Sequence, residues 1–423
     1  MSDTIFAPSS GSPPAAIAVV RVSGPRAFAA IERLAGRLPP PRQAGLRTLR
    51  DGAGEVLDEG LVLVFPGPGS ATGEDCAELH CHGGRAVVAA VLAALVAMPE
   101  LRAAEPGEFT RRAFANGRMD LAQAEALGDL LMAETELQRR AAQAGVGGLL
   151  SGQVAAWREE VLALSATVEA ALDFSDEDDV GALPDGFFRR LEALGEDIGA
   201  ALERPRAERL REGVRVVLGG PPNSGKSSLF NALVGDGAAI VSPIEGTTRD
   251  VLERPVAFGG TPFVLVDTAG LREEGAGEIE TIGVARAQAA LERADIVLWL
   301  GEEGTGPLGA IEVQARSDDS TAPTKRRPDH VVSAVTAQGL PALEADLVAR
   351  AGRLLPQPAV AAINTRQAGL LAEAAQAIAE GAADPLLIAE NLRRARGAFD
   401  RLLGNAGIED MLDTLFSRFC IGK

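Results

Sequence analysis

Hydrophobic and polar residues alternate in different ways along the chain, and each pattern predicts a different kind of structure. Up to about residue 118, short apolar runs such as Ala15–Val22, Gly60–Phe65 and Asp75–His82 are separated by Gly/Pro clusters. That pattern is typical of strands joined by turns. From residue 119 to about residue 210, apolar residues recur at three- and four-residue spacing, which predicts helices.

The pattern changes again at Gly213. Runs rich in β-branched residues alternate with helical patterns up to about Arg353, which predicts an α/β domain with a mostly parallel sheet. The residues beyond it have a helical pattern again, so the α/β domain interrupts a helical one. We predict an N-terminal α+β domain at 1–118, a helical domain in two parts at 119–212 and 354–423, and the inserted α/β domain at 213–353.

Composition narrows the class of protein. The chain has 423 residues, 46% of them hydrophobic, which excludes wholesale disorder. Its net charge of −18 argues against a general nucleic-acid coat protein but permits a local basic patch. Only three of its 41 cations are lysines (Lys226, Lys325 and Lys423), so arginine is the usual cation of this chain.

Targeting and redox signals are weak. The N-terminus lacks the basic and apolar regions of a secretory signal, and the longest uncharged apolar run, Ala86–Met98, is shorter than the about 20 residues of a membrane-spanning helix. The three cysteines form no C-x-x-C pair and do not suggest a disulfide framework. We therefore expect a soluble, cytoplasmic protein with no membrane partner.

A phosphate-binding motif follows the predicted strand at 214–219. The sequence Gly220-Pro-Pro-Asn-Ser-Gly-Lys-Ser-Ser228 matches G-x4-G-K-[S/T] and precedes a helical pattern, which is the context that this motif requires. The glycines let backbone N–H groups surround phosphates, and Lys226 reaches the outer phosphates. The Ser227 hydroxyl is suited to bind Mg²⁺.

Two further motifs follow in the order expected of a switch-type nucleoside triphosphatase. Either threonine of Gly246-Thr-Thr-Arg-Asp250 can close over a γ-phosphate and Mg²⁺. Val264-Leu-Val-Asp-Thr-Ala-Gly270 is an apolar strand ending in D-x-x-G, where Asp267 would hold the metal through water and the Gly270 amide would contact the γ-phosphate. Together with the first motif they predict a Ras-like P-loop domain.

Base recognition and water activation are less regular. Ala315-Arg-Ser-Asp318 is the best match to the guanine motif N-K-x-D, but it keeps only the aspartate, and Ser333-Ala-Val335 resembles the loop that completes a guanine pocket. The alternative is that Asp318 is a solvated acid of the polar segment 317–328. Leu271 stands where many GTPases have a glutamine, so Glu280 is the candidate for orienting water, against the alternative of a solvated helix acid.

A resemblance to one family covers essentially the whole chain. The segment Glu105-Pro-Gly-Glu-Phe-Thr to Ala126, the nucleotide motifs and the terminal Phe-Cys-Ile-Gly-Lys423 together resemble the tRNA-modification GTPase family MnmE, also called TrmE. The resemblance implies that the N-terminal domain dimerises and binds a tetrahydrofolate derivative in its 5-formyl or 5,10-methylene form. The matching positions are Arg21, Glu78, Arg118 and Lys423.

Those residue types fit folate chemistry. A carboxylate such as Glu78 accepts hydrogen bonds from the two-donor edge of a pterin, and the anionic glutamate tail of folate favours cations. Many relatives have lysine at position 118, so Arg118 keeps the charge but changes the geometry.

The resemblance also implies how GTP is hydrolysed: the GTPase domains of a homodimer meet across their nucleotides, with Mg²⁺ and K⁺ as cofactors. The implied catalytic residues are Glu280, Lys226 and Thr248, the Mg²⁺ ligands Ser227 and Thr248, and the K⁺ ligands Asn223, Ser242, Ile244 and Thr247. The residues implied to contact GTP are Asn223, Ser224, Gly225, Lys226, Ser227, Ser228, Ser242, Pro243, Ile244, Glu245, Gly246, Thr247, Thr248, Asp267, Thr268, Ala269, Gly270, Asp318, Ser333, Ala334 and Val335.

The implied reaction involves further partners. An FAD-dependent subunit of the MnmG (GidA) type, in a heterotetramer with the homodimer, adds a (carboxymethyl)aminomethyl group to C5 of the wobble uridine of certain tRNAs. The basic cluster Arg393–Arg396 with Arg401 is either a phosphate contact or a solvated helix face. Cys420 is either a reactive thiol or simply buried.

Three alternatives stay open. Glu78, His80 and His82 alternate onto one strand face, with Cys76 and Cys81 nearby, and can mimic a zinc site. A regulatory GTPase of ribosome assembly shares the P-loop and K⁺ chemistry. A folate-binding scaffold with a degenerate GTPase domain is suggested by the altered guanine motif, and by a segment from residue 300 to 313 too short for the expected helix.

Overall fold

The computed structural model describes residues 3–173, 183–184, 186–236, 238–239, 253–268, 286–357, 360–380, 384–406, 409–417, 419 and 421–422. The chain divides into two compact units, residues 1–128 with 399–423 and residues 129–398. In the described part of the chain no helix is both long and apolar enough to cross a membrane.

The first unit contains a six-stranded sheet, and the helices Ala27–Ala35 and Arg85–Val96 pack against one of its faces. Alternating residues of its strands are buried: in the fifth strand Ala77, Leu79 and Cys81 join the core, while Glu78 and His80 lie on the other, partly exposed face. The strands are β1 (Thr4–Pro8), β2 (Ile17–Ser23), β3 (Gly45–Arg50), β4 (Val56–Phe65), β5 (Cys76–His82) and β6 (Leu101–Ala103), in the order β3-β4-β5-β2-β1-β6. The first helices are α1 (Ala27–Ala35), α2 (Arg85–Val96), α3 (Glu108–Ala115) and α4 (Leu121–Leu131).

The helical pattern from residue 119 onwards folds as expected. In the long helix Leu149–Asp173, residues such as Val154, Trp157, Val161 and Leu164 are buried at three- and four-residue spacing. The helices are α5 (Glu136–Val146), α6 (Leu149–Asp173), α7 (Phe187–Leu202), α8 (Glu208–Glu212), α9 (Lys226–Asp236), α10 (Leu340–Leu354), α11 (Thr365–Ala379), α12 (Pro385–Leu403) and α13 (Glu409–Phe416), and residues 286–292 are also helical.

The inserted domain is built on a seven-stranded sheet with the order β13-β12-β11-β7-β10-β9-β8. Strands β13, β12, β11, β7 and β10 run parallel, and β9 is antiparallel to both β10 and β8. This topology confirms the predicted fold class, a mostly parallel α/β domain within a chain that also has α+β and helical parts. The strands are β7 (Val214–Gly219), β8 (Ala238–Ala239), β9 (Glu253–Phe258), β10 (Thr261–Asp267), β11 (Ile296–Trp299), β12 (Ile311–Gln314) and β13 (His330–Val331).

The connection between the parallel strands β11 and β12 contains no helix. Residues 300–310 form turns instead, and the indole of Trp299 covers them: its Nε1 donates to Glu302 O at 3.0 Å, and a side chain at Gly306 would meet its Cγ at 2.6 Å. The connection is therefore as short as predicted, and the Trp299 side chain packs on the turns that stand where a crossover helix is expected.

Candidate functional site

The loop that follows β7 contains three residues with left-handed backbone. Gly220, Asn223 and Gly225 have φ values of 144°, 61° and 96°. Glycine enters this region freely, and asparagine tolerates it better than most residues. A side chain at Gly220 would meet Gly301 N at 2.9 Å, so the loop also lies close to the end of β11. These two constraints explain both glycines of the motif.

The lysine and one serine hydroxyl of this loop are buried. Lys226 begins α9 and is only 5% exposed, and its Nζ donates to Pro221 O at 2.7 Å. Ser224 Oγ is buried and has no hydrogen-bond partner within the described residues. A buried hydroxyl without a protein partner suits an oxygen-rich ligand such as a phosphate.

A serine and an aspartate meet beside the loop. Ser227 Oγ donates to Asp267 Oδ2 at 2.6 Å, and Asp267 is fully buried at the end of β10. They come together because β10 pairs in parallel with β7, which puts Asp267 opposite Leu218. Hydroxyl and carboxylate oxygens are the ligands that Mg²⁺ prefers. The Thr268 hydroxyl instead donates to Leu218 O at 2.7 Å and joins the two strands.

Several predicted site residues fall outside the described part of the chain. They are Ser242, Pro243, Ile244, Glu245, Gly246, Thr247, Thr248, Ala269, Gly270, Glu280, Cys420 and Lys423. The roles predicted for them stay predictions.

The two parts of the predicted base pocket lie together. The buried Ser333 hydroxyl donates to Asp318 Oδ1 at 2.5 Å and accepts hydrogen bonds from Val335 N and Thr336 N at 3.2 and 3.1 Å. Ala334 lies between these residues in a tight turn. Asp318 itself is exposed, so its carboxylate is accessible to a ligand.

The altered guanine motif packs against the phosphate loop. A side chain at Gly225 would meet Ala315 Cβ at 3.3 Å and Arg316 Cγ at 3.4 Å. Arg316, with a φ of 57°, approaches Asn223 O through Nη1 at 3.5 Å and pairs with Asp319 through Nη2. The arginine therefore lies where it bridges the base segment and the phosphate loop.

Two residues that the sequence analysis did not assign hold this segment in place. Gln314, 8% exposed, donates to Pro323 O at 2.7 Å and accepts from the backbone N–H of Lys325 at 2.6 Å. Lys325 Nζ in turn donates to Trp299 O at 2.6 Å and pairs with Glu312. The segment 317–328 is a loop, as predicted, but an anchored one. In the sequence, the rarity of lysine is the feature that distinguishes Lys325.

A second cluster lies on the partly exposed face of the N-terminal sheet. Arg21 and Glu78 are opposite each other in the β2–β5 register, and the Arg21 Nη2 donates to Glu78 Oε1 at 2.8 Å. His80 Nε2 lies 3.2 Å from Glu78 Oε2, and the Arg21 guanidinium stacks 5.7 Å from the ring centre of Phe109. Burial alone would raise the pKa of Glu78, but hydrogen bonds to Arg21 and His80 outweigh it and lower that pKa.

Arg118 lies against the loop that precedes β5. A side chain at Gly73, whose φ is 80°, would meet Arg118 Cγ at 3.3 Å. The same loop is held by Asn116 Nδ2, which donates to Thr72 O at 2.7 Å, and by the contact of 2.7 Å between the Thr72 and Ser23 hydroxyls. The structure thus brings Arg21 and Glu78 into contact and places Arg118 against the loop that precedes β5.

The C-terminal tail returns to the same sheet. Ser9 Oγ donates to Gly422 O at 2.9 Å, and Phe419 packs with Phe416 of α13 at a ring-centre distance of 5.9 Å. A side chain at Gly422 would meet Pro8 O at 1.9 Å, so only glycine fits there. These contacts explain why the terminal motif contains glycine next to the last residue.

The zinc alternative has no ligand set among the described residues, where no three His, Cys, Asp or Glu side chains are grouped to hold a metal. Cys76 and Cys81 are buried, and burial raises the pKa of each thiol to about 12. The His82 ring instead lies 2.8 Å from Asp58 Oδ1. Both thiols are therefore protonated core groups.

A fully buried arginine organises the residues around α3. Arg112, 0% exposed, contacts Asp3 Oδ1 at 2.9 Å, Glu74 Oε2 at 3.1 Å and Glu108 Oε1 at 3.0 Å. Burial would raise the pKa of Glu108, but hydrogen bonds from Arg102 and Arg112 lower it. This network joins the first strand, the loop before β5 and α3.

Two arginines of the α12 cluster are paired with carboxylates. Arg393 lies 2.7 Å from Glu390, and Arg394 lies 2.6 Å from Glu380. This geometry favours the alternative of a solvated, ion-paired helix face over a phosphate contact.

The fold and this site define the class of protein. A phosphate loop between a parallel strand and a helix, a buried aspartate closing the adjacent strand, and a serine–aspartate pair at the base segment are the features of a P-loop GTPase. Two family models then match the chain: "GTP-binding protein TrmE N-terminus" over residues 4–118 and "MnmE helical domain" over residues 121–420. The chain therefore belongs to the MnmE family of tRNA modification GTPases, which makes it an enzyme of the GTP hydrolase class.

Curated relatives agree with the family models over the full length. A protein of Erythrobacter litoralis named tRNA modification GTPase MnmE is 62% identical over 423 residues, covering 100% of both chains. A protein of the same name from Novosphingobium aromaticivorans is 59% identical over 437 residues, again covering 100% of both. A solved G domain of the T. maritima FeoB iron transporter is 26% identical and covers 33% of this chain and 98% of its own, with a TM-score of 0.24, too low to support a conclusion.

Proposed function

We propose that this chain is a K⁺-activated GTPase whose GTPase domains dimerise. With an FAD-dependent partner subunit it adds a (carboxymethyl)aminomethyl group to C5 of the wobble uridine of certain tRNAs, using a folate one-carbon unit. The observation that supports this most strongly is the contact of 2.6 Å between Ser227 Oγ and Asp267 Oδ2 beside the buried Lys226. It joins two nucleotide motifs that are far apart in the sequence.

The phosphate end of the proposed site has the charges that GTP requires. Lys226 and the N-terminus of α9 supply positive charge for the β- and γ-phosphates. Ser227 Oγ and Asp267 offer oxygen donors for Mg²⁺, Asp267 through water, with Thr248 as the second proposed direct ligand. When bound, Mg²⁺ neutralises charge that develops on the phosphate oxygens.

The proposed K⁺ site and water-positioning residue complete the catalytic set. Asn223 is the described member, and its left-handed backbone turns the loop at the position proposed for K⁺. Ser242, Ile244 and Thr247 are the other proposed ligands, and Glu280 is proposed to orient the attacking water. K⁺ would supply positive charge where other GTPases use an arginine.

The N-terminal cluster fits a folate. Glu78 is held ionised by Arg21 and His80, so it can accept hydrogen bonds from a pterin edge. Arg118 and Lys423 are proposed to face the carboxylates of the glutamate tail. The close contact of Gly422 with Pro8 supports a tail that reaches this domain.

The family supports the proposed partners and compartment. The relatives from Erythrobacter litoralis and Novosphingobium aromaticivorans are named as tRNA modification GTPases, which supports tRNA as the substrate of the complex. A homodimer that joins an FAD-dependent subunit of the MnmG type in a heterotetramer is proposed, in the cytoplasm.

Hydrolysis of GTP and ATP by the full chain in KCl and in NaCl of equal ionic strength tests this proposal. We expect GTP turnover at least about tenfold faster in KCl, and slow ATP turnover in both salts, since the base pocket selects the guanine nucleotide. Asn223→Ala should remove the K⁺ stimulation and keep nucleotide binding. Asn231→Ala, on the exposed side of α9, is the matched control and should keep the stimulation.

Other outcomes would change the proposal in defined ways. Equal, slow rates in both salts would contradict K⁺-dependent dimerisation. No turnover of GTP in either salt, with folate binding intact, would favour the scaffold with a degenerate GTPase domain.

A further inference from the structure

The last described residues of the chain are held at two points. Phe419 is 8% exposed and packs with Phe416 of α13, and a side chain at Gly128 would meet the Phe419 Cζ at 3.2 Å. Gly422 is also buried, whereas Ile421 is 58% exposed. The C-terminal tail is therefore anchored in an aromatic cluster and again at its last described residue.

The second anchor uses an edge that the sheet leaves open. β6 pairs with β1 only from Thr4 to Phe6, and Phe6 O accepts from Ala104 N at 2.9 Å where β6 ends. Carbonyls two residues apart on a strand point to the same side, so Pro8 O points to the side that β6 no longer covers. Gly422, with a φ of 95°, packs against this carbonyl, which a side chain would meet at 1.9 Å.

Ser9 completes this contact with its side chain. Ser9 Oγ donates to Gly422 O at 2.9 Å, a hydrogen bond between residues 413 positions apart. Ser9 N donates to Val19 O at 2.7 Å, and Ser10 Oγ accepts from Val19 N at 3.0 Å. These contacts with β2 fix the backbone from which the Ser9 hydroxyl reaches the tail.

The anchor lies close to the proposed folate residues. Ser9 bonds to Val19, and Arg21, which is opposite Glu78 in the β2–β5 register, lies two residues further along β2. Two residues of a strand cover about 7 Å. The tail is therefore fixed to the sheet beside the contact between Arg21 and Glu78.

We infer that Ser9 is a positioning residue that holds the C-terminal tail beside the folate site. This inference rests on the proposed function, because it takes Lys423, the residue bonded to Gly422, as a ligand of the glutamate tail of folate. A chain end that is already anchored loses less conformational entropy when it binds a ligand than a free one does. Ser9 therefore contributes to folate affinity through Lys423.

Two neighbouring serines separate this role from a local structural one. The backbone of Ser9, not its hydroxyl, bonds to Val19, so removal of the hydroxyl leaves β1 and β2 joined. The Ser10 hydroxyl has the opposite role, since it accepts from the backbone of β2 and makes no contact with the described residues of the tail. Ser10 is therefore the matched control for Ser9.

The test compares Ser9→Ala with Ser9→Thr, which keeps the hydroxyl, and with Ser10→Ala. Accessibility of the tail is measured on the full-length protein as the rate at which a carboxypeptidase specific for basic residues releases Lys423, followed by mass spectrometry. Binding is measured by calorimetry with two probes, 5-formyltetrahydrofolate and a tetrahydropterin without the glutamate. The second probe lacks the carboxylates proposed to contact Lys423, so it reports the pterin end of the site alone.

We expect Ser9→Ala to lose Lys423 about three- to tenfold faster and to bind folate more weakly by a similar factor, since one hydrogen bond is removed. Its affinity for the tetrahydropterin and its GTP hydrolysis should stay at the wild-type level. Ser9→Thr and Ser10→Ala should behave like the wild type in every measurement.

Three results would overturn the inference. The first is wild-type release of Lys423 or wild-type folate affinity in Ser9→Ala, and the second is an equal change in Ser9→Ala and Ser10→Ala. The third is an equal loss of affinity for both probes, which would show damage to the pterin end. If the wild-type chain binds neither probe, the proposed folate site fails, and the rate of Lys423 release still decides whether Ser9 holds the tail.

Discussion

At the scale of single residues, the proposed recognition of the guanine base depends on one aspartate. Asp318 is exposed and its Oδ1 accepts a hydrogen bond of 2.5 Å from the buried Ser333, so the carboxylate has a fixed orientation. Arg316 takes the place of the usual lysine and lies against Gly225 and Asn223. Ala315 has no side-chain amide, but its methyl group fills the space beside the phosphate loop.

Asp318→Asn should change the base preference of the site. A carboxylate accepts both N–H groups of the guanine edge, and hydrogen bonds to a charged group contribute about 1.5–3 kcal/mol each. We expect GDP affinity to fall at least about tenfold and xanthosine diphosphate affinity to rise, measured by fluorescence with labelled nucleotides.

Asp319→Asn is the matched control. Asp319 pairs with Arg316 and accepts from Thr321, but it has no contact with Ser333 among the described residues. Its GDP affinity should stay within a few fold of the wild type. Equal GDP affinity in Asp318→Asn and wild type would show that Asp318 is a solvated loop acid.

At the scale of elements, the segment 317–328 has no helix or strand and is held in place by side-chain contacts. It carries Asp318, and its far end is fixed by Lys325, whose side chain is 7% exposed and pairs with Glu312. The neighbouring connection 300–310 has no helix, so Trp299 and this loop cover the end of the sheet. The loop that carries the proposed base-recognition residue is therefore held in place by buried polar contacts.

Lys325→Met should loosen this loop and raise the KM for GTP. We expect KM to increase about three- to tenfold with little change in kcat, because the phosphate site stays intact and the binding lost is equal in the ground state and the transition state. Arg326→Met, an exposed neighbour, is the control and should behave like the wild type. Loss of kcat at unchanged KM would contradict a role in holding the base segment.

The second element with a clear energetic role is α3. Arg112→Met would leave the carboxylate of Glu74 without its buried cation and Glu108 with Arg102 alone, and breaking a buried ion pair on one side costs about 3–5 kcal/mol. We expect a corresponding loss in the free energy of unfolding of the N-terminal unit, measured with urea. Arg111→Met removes the exposed pair with Asp413 and should cost about 0–1 kcal/mol. Equal losses would contradict the network.

The stability of the N-terminal unit at acidic pH depends on the same network. The pKa of Glu108 is below its ordinary value, so its contribution is complete above an unfolded pKa of about 4.3 and is lost as pH falls through the lower folded pKa. The urea midpoint of the N-terminal unit should therefore decrease below about pH 4.

At the scale of the whole molecule, the features that could be predicted from the sequence are those that depend on residues close together in the chain. The phosphate loop could be recognised because its glycines, lysine and serine are neighbours in the chain, and the parallel sheet because its strands are apolar runs. The contacts of Lys325 with Trp299 and of Arg112 with Asp3 could not, because they join distant residues and depend on the folded sheet. The contact of His80 with Glu78 could not be predicted either, since strand alternation shows that two residues share a face but not which partner each contacts.

The central claim is that GTP hydrolysis by this chain supports tRNA modification. The most direct test is to express the chain in a bacterial strain that lacks its own family member, and to quantify the C5-modified wobble uridine in total tRNA by mass spectrometry. We predict that the wild-type chain restores the modification, while Lys226→Ala, present at an equal level, restores less than about a tenth of it. Full restoration by Lys226→Ala, or none by the wild type together with the proposed FAD-dependent partner, would contradict this prediction.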